Sequence, residues 1–249
     1  MSTADPIGGC QAVERALGIL RLFDERTTEL SVADVALALG VHRSTASRLL
    51  AALARHGLLE QGVAGGHFRL GLALVSLGGM VLNRFPVRAG AHRVLRELRD
   101  ATGETAYLGL LDGREVVYID QASSPRVTVN VDWVGCRQSL TESVSGRLLL
   151  AYQPAELAAE LGSVAPETLA GGELALIRRR VYALRFDESE DGVAGVAAPV
   201  RDYSGAVVAS ISVGGPRFRI DRERLESELV PAVLRAASDV SEALGSVAA

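Results

Sequence analysis

The chain has 249 residues, 48% of them hydrophobic and 22% charged. That balance excludes a largely disordered protein, and the length predicts two domains. Its 26 basic residues, all arginine, stand against 30 acids for a net charge of −4, which excludes a protein that coats DNA through bulk charge.

The sum hides a local asymmetry. Between residues 41 and 69, Arg43, Arg48, Arg55 and Arg69 face only Glu60, with His42, His56 and His67 nearby. The two cysteines, Cys10 and Cys136, cannot alone build a disulfide framework or a zinc site, so reduced thiols in a cytoplasmic protein are expected. The first ten residues lack the basic and apolar regions of a signal peptide. The apolar, uncharged stretch from Leu70 to Asn83 has 14 residues, against about 20 needed to span a bilayer. No membrane partner and no cofactor or metal is expected.

Residues 11–71 are predicted as a winged helix. Val13, Leu17, Leu20 and Phe23 form one stripe of a first helix ending near Arg26. Ser31, with Asp34 three residues on, opens a second helix whose buried stripe is Val32, Val35, Ala36 and Leu39, and Gly40 stops it. A third helix follows at once, with Ala46, Leu49, Leu50 and Leu53 facing inward. Two short helices around a glycine-containing turn are the helix-turn-helix pattern. Leu58–Glu60 and His67–Leu70 bracket a glycine-rich tip, which predicts a hairpin wing.

The outer face of the third helix carries Ser44, Ser47, Arg48 and Arg55, with Arg43 and Thr45 at its start and His42 just before. Guanidinium groups bond bidentately to guanine, hydroxyls reach bases or phosphates, and free amides at a helix start favour phosphate. A solvated face that binds nothing has the same composition. The adjoining helix, the tight turn and a wing bearing His67 and Arg69 favour double-stranded DNA as the partner.

Residues 72–85 are predicted as a connecting helix weakened at Gly78-Gly79 and ended before Pro86, after which a new helix carries Val94, Leu95 and Leu98. From 86 to 249 sheet and helix signals alternate. Thr105–Leu111 and Glu115–Ala122 flank Asp112-Gly113, a hairpin signal, and 126–132 alternates as a strand. Helices are predicted at Ser143–Tyr152 and Glu173–Leu184, a second strand pair at Gly192–Val200 and Ala206–Val213, and a closing helix at Asp221–Leu244 kinked by Pro231. The class expected is α+β: a winged helix-turn-helix, a connecting helix, and an antiparallel sheet with helices packed on it.

The runs AVERALGILRLF, LSVADVALALGVHRSTASRLLAAL and HFRLG resemble the N-terminal half of the IclR family of bacterial transcription regulators. ATGETAYLGLLDGREVVYID and GVAGVAAPVRDYSGAVVASISVGGP resemble that family's C-terminal half. The resemblance, from Ala12 to Leu244, implies a DNA reader joined by a helix to a GAF-like effector domain, assembled as a homodimer or homotetramer.

It also implies an effector site. Its loop corresponds to Ser143, Val144, Ser145, Gly146 and Arg147, a helix start whose amides suit an anion, although Ser143 is equally an ordinary N-cap. Ser212 matches a ligand-bonding position, and Gly214 stands where a second serine is frequent. Arg185 stands where Asp is frequent and Gly195 where Cys is frequent, while Asn130 and Gln138 replace apolar residues. These departures imply a small-molecule effector with a carboxylate, unless Arg185 pairs instead with Asp187 or Glu188 at the surface.

Two other readings differ in class. An enzyme would need a nucleophile and base, a metal site or a cofactor loop, and none of the corresponding motifs is present. The acidic run 187–191 is expected as a solvated turn. A winged helix that binds protein instead of DNA is the third reading, separable by the salt dependence of DNA retention.

Overall fold

The computed structural model describes residues 11–24, 26–62, 66–126, 132–162, 172–186 and 192–246. The chain divides into two compact units, Met1–Arg84 and Phe85–Ala249.

In the first unit, α1 (Gln11–Leu20), α2 (Val32–Leu39) and α3 (Arg43–Arg55) enclose a core of Ile19, Leu30, Val35, Ala36, Ala46, Leu50, Leu53, Leu59 and Phe68. A three-stranded sheet, ordered β1 (Leu30–Ser31), β3 (His67–Leu70), β2 (Leu59–Gln61), closes it. The wing was expected as a two-stranded hairpin; the short β1 adds a third strand, with Leu30 opposite Phe68.

Two expectations for α1 are corrected. It ends at Leu20, not near Arg26, because Asp24 takes the backbone N–H groups of Arg26 and Thr27 at 2.8 and 2.6 Å in a side-chain-closed turn. Its buried side is Ala16, Ile19 and Leu20, while Val13 and Leu17 are exposed. The apolar residues of α1 exceed one face, and packing selects which of them the core receives.

The start of α2 is a full capping box. Ser31 Oγ accepts from the Asp34 N–H at 3.2 Å, and the Asp34 carboxylate accepts from the Ser31 N–H at 2.9 Å. The Ser31 side chain, then its backbone N–H, holds the Asp34 carboxyl below the usual range. The cap is therefore complete above the ordinary carboxylate range and is lost as pH falls through the lowered folded value. Ser31→Ala is expected to lower stability by about 1 kcal/mol at neutral pH, read from the denaturant midpoint. Gly40, at φ 61, ends α2 in the left-handed conformation that glycine tolerates best. After the wing, α4 (Ala73–Leu82) runs through Gly78-Gly79 without interruption and buries none of its residues.

In the second unit, a six-stranded antiparallel sheet runs in the order β6 (Arg137–Ser139), β5 (Glu115–Ala122), β4 (Thr105–Asp112), β9 (Val207–Pro216), β8 (Val193–Arg201), β7 (Ala183–Phe186). The helix α5 (Pro86–Thr102), with Pro86 in its first turn, packs on β4 and β5, and α10 (Val230–Ala243) packs on β8, β9 and α5. On the sheet too lies α6 (Val144–Ala151), with α8 (Glu173–Arg180) packed on α6; α7 (Ala155–Gly162) joins them in sequence.

Three expectations for this unit change. The helix expected at Glu173–Leu184 ends at Arg180, because Val181 turns left-handed at φ 66 and leads into β7, whose Ala183 pairs with Ala197. The closing helix is not simply kinked. It passes from α9 (Arg222–Arg224) through a π-turn at Leu225–Leu229, where the Val230 N–H reaches the Leu225 carbonyl, just before Pro231. Proline brings no N–H for the ordinary ladder, and a widened turn absorbs the mismatch. Thirdly, the structure adds β6, only three residues long, and α7, a short helix whose Leu157, Ala158 and Leu161 do recur at helical spacing. The strand expected at 126–132 falls largely, and the acidic run 187–191 entirely, outside the described residues.

Candidate DNA interface and effector cavity

The outer face of α3 gathers most of the residues singled out for DNA. Arg43, Ser44, Ser47 and Arg48 are exposed, and Thr45 is half-buried. The helix contains no acid, and among the described residues neither Arg43 nor Arg48 is engaged in an ion pair. His42 serves as the N-cap, its Nδ1 accepting from the Ser44 N–H at 3.3 Å. That geometry orients the first turn and ties His42 to helix capping. On the wing, His67 is exposed, whereas Arg69 donates to Glu60 across the hairpin at 2.6 Å. The Arg69 charge is thus balanced within the wing, a pairing that the sequence offered but did not require.

The second unit holds a cavity of about 320 Å³ between the start of α6 and one face of the sheet. Sheet register explains its floor. Arg185, Gly195, Gly214 and Thr105 stand side by side on β7, β8, β9 and β4, and all four line the cavity. In the next row on the same face come Ala183, Ala197, Ser212, Tyr107 and Gln121, of which Ser212 and Tyr107 line it. Gly195 is required by close approach: a Cβ there would lie 2.9 Å from the Val213 carbonyl oxygen. Gly214 would accept a side chain, its nearest neighbour being the Ala194 oxygen at 3.6 Å.

Not all of the loop expected at the site faces the cavity. Ser143 and Val144 line it. Ser143 Oγ accepts from the Gly146 N–H at 3.0 Å and donates to the Ser139 carbonyl at 2.9 Å, so its hydroxyl is committed to the cap. Ser145 lies behind the wall, fully buried, donating to Ser212 at 2.9 Å. Gly146 packs on Leu140, where a Cβ would come within 2.5 Å of backbone atoms. The Arg185 guanidinium donates to the Glu142 carbonyl, which brings β7 to the approach to α6, while Asp187 and Glu188 lie outside the described residues.

Sequence reading missed the opposite wall. Tyr107, Tyr118 and Trp133 line the cavity as a cluster of three rings, with centroids 5.3, 6.5 and 6.1 Å apart. Tyr118 reaches this face because a bulge shifts the pairing, from Leu108 opposite Asp120 to Gly109 opposite Tyr118. Trp133 is held beside it by a turn. The Trp133 N–H donates to Gln121 Oε1 at 2.9 Å, and the Gly135 N–H donates to the Tyr118 carbonyl at 2.8 Å. Burial raises both tyrosine pKa values, that of Tyr118 to about 12, so the wall is uncharged at neutral pH. Tyr118 donates its hydroxyl to Gln138 Oε1 at 2.8 Å. The lone tryptophan of the chain was the available signal, but nothing in its spacing joins it to Tyr107 and Tyr118. Arg219 was also missed; it lines the far side, just beyond β9.

Comparison with known proteins agrees with this two-part arrangement. Residues 12–62 match the IclR helix-turn-helix domain, and residues 79–242 match the family described as bacterial transcriptional regulator IclR C-terminal. The HTH-type transcriptional regulator XynR of Escherichia coli K12 is 38% identical over 226 residues, covering 86% of this chain and 90% of the relative. The crystal structure of Thermotoga maritima IclR superposes with a TM-score of 0.76 at 28% identity, covering 94% of this chain and 99% of the other. An IclR homolog from Microbacterium hydrocarbonoxydans, crystallised with 4-hydroxybenzoate, gives 0.78 at 26% identity, covering 94% and 98%. A winged helix with a basic, acid-free recognition face, a second unit with a cavity, and family matches across both lead to one conclusion: this chain belongs to the IclR family of bacterial transcription regulators and is an effector-responsive DNA-binding regulator.

Proposed function

We propose that the cavity of the second unit is the effector site and that it takes a carboxylate. One observation carries this reading: among the described residues the charged side chains lining the cavity are Arg185 and Arg219, and none that lines it is acidic. In a partly dry cleft two guanidiniums favour an anion and disfavour a cation. The volume and the ring wall suit a ligand larger than a simple keto acid, as does the 4-hydroxybenzoate bound by the Microbacterium homolog. Ser143, Val144, Gly195, Ser212 and Gly214 complete its surroundings, with Ser145 and Gly146 supporting them from behind.

The domains we assign are 11–71 for DNA, 72–85 as connector and 86–249 for the effector. Arg43, Ser44, Thr45, Ser47 and Arg48 would enter the major groove, His42 would set the start of α3, and His67 and Arg69 would lie along the phosphates. A homodimer is the working assembly. It is supported by the apolar surface of α4 and the Leu72 that precedes it, where Leu72, Val75 and Met80 are 76, 69 and 59% exposed. No helix among the described residues is long and apolar enough to cross a membrane, and the cytoplasm is where a bacterial DNA reader would work. Effector binding would shift the balance between arrangements with different operator affinity, by no more than its differential affinity for them.

The test begins with an operator selected from random duplex DNA by the purified protein. Carboxylates are then titrated against the parent and Arg185→Ala, with operator affinity and thermal midpoint as readouts. Arg185→Ala is expected to lose about 1.5–3 kcal/mol of carboxylate affinity, the range of a hydrogen bond to a charged group. Unchanged affinity would place Arg185 outside the effector site.

A further inference from the structure

We propose that Arg219 anchors the effector's carboxylate, and that the buried Glu104 sets how strongly it does so. The inference rests on the reading of the cavity as an anion site. Glu104 is fully buried and accepts from Arg219 Nε at 3.3 Å and from a terminal nitrogen at 2.8 Å. Its Oε1 also accepts from Arg224 at 3.1 Å, and Arg126 lies 3.7 Å away. One buried carboxylate thus faces three guanidiniums. Among the described residues the only other acid on them is the exposed Glu228, on Arg224 at 3.4 Å.

Of these three arginines, Arg219 alone lines the cavity. Glu104 engages one edge of its guanidinium, and the other N–H groups of its five-donor fork are left for a ligand. Gly215, also in the lining, makes the arrangement possible: a Cβ there would stand 2.6 Å from Glu104 Oε2. A ligand carboxylate beside Arg219 would act as the third counter-ion of a cluster in which three guanidiniums face Glu104 and Glu228.

The same cluster reaches two helices. Arg224, in the first turn of the closing helix, donates to the carbonyls of Arg219 and Thr102, the latter the last residue of α5. An anion that draws on Arg219 therefore acts on the tie between the cavity rim, the end of α5 and the start of α9.

Two substitutions separate an anchor from a merely structural ion pair because they move affinity in opposite directions. Removing Arg219 deletes the anchor, whereas removing the Glu104 charge frees it. Trp133 is the only tryptophan and lies in the cavity wall, so its fluorescence reports occupancy. The probes are succinate, benzoate, 4-hydroxybenzoate and the neutral benzamide, titrated at a temperature where circular dichroism shows every variant folded.

The parent is expected to bind at least one carboxylate and to bind benzamide more weakly. Arg219→Gln should weaken the carboxylate about tenfold or more, and Arg219→Lys should retain much of that affinity. Glu104→Gln should lower the thermal midpoint yet tighten the carboxylate several-fold. If Glu104→Gln does not fold, the contrast between Gln and Lys at position 219 decides alone. Affinity unchanged in Arg219→Gln, or weakened alike in Arg219→Gln and Glu104→Gln, would overturn the inference while leaving the anion site standing. A parent whose Trp133 signal responds to none of the carboxylates would overturn the anion reading itself, and this inference with it.

Discussion

Leu50→Ala is expected to cost about 2–5 kcal/mol of stability, and Arg48→Ala, two residues away, almost none. Leu50 is completely buried among Ile19, Val35, Ala46 and Leu53, where truncation leaves a cavity that three short helices cannot close. Arg48 is exposed on the opposite face and takes part in no ion pair among the described residues. Its loss should appear instead in operator binding, at about 1–3 kcal/mol with relaxed specificity at one base position. Thermal midpoints and operator affinities of the two variants form the test. Operator binding by Arg48→Ala equal to the parent's at moderate salt would remove α3 as the recognition helix. Leu49, which helical spacing also turns inward, is only partly buried, so Leu50 is the better choice.

Gly146→Ala is expected to destabilise the second unit by about 1–3 kcal/mol or more and to disturb the cavity together with the fold. The added Cβ would stand 2.5 Å from both Cα and O of Leu140 and 2.6 Å from Ser143 Oγ. Two of these neighbours are backbone, so relief requires the β6–α6 connection to move, and with it the capping bond from the Gly146 N–H to Ser143. Gly214→Ala is the control. It lies on the same cavity, its Cβ would meet nothing closer than 3.6 Å, and its thermal midpoint should stay near the parent's. Equal midpoints for the two variants would show that the α6 start adapts freely, contrary to its packing on Leu140.

The winged helix was legible because its signals are local. Ser31 and Asp34 close a capping box within one turn, Gly40 supplies the left-handed stop, and Ala46, Leu50 and Leu53 recur at helical spacing. The hairpin around Asp112-Gly113 and the Ser143 cap of α6 are of the same kind, each set by neighbours in sequence. The family resemblance reached further and brought Arg185, Gly195, Ser212 and Gly214 together before any register was known. That all four line one cavity follows from pairing across β7, β8 and β9.

Other features depended on contacts distant in sequence. Which side of α1 is buried was decided by packing, since its apolar residues cover more than one face. Tyr118 joins Tyr107 only through a bulge, and an unbroken alternation back from Gln121 would send it to the other side of the sheet. Trp133 joins them through a turn fastened to Gln121 and Tyr118. Arg219 stands 115 positions from Glu104, and only the folded second unit makes them partners. By itself the sequence determined the winged helix, the antiparallel sheet class and the family, because caps, turns and apolar periodicity act within a few residues. Tertiary structure alone decided the aromatic wall and the buried carboxylate beneath Arg219, because each depends on strand register or on burial that no local pattern encodes.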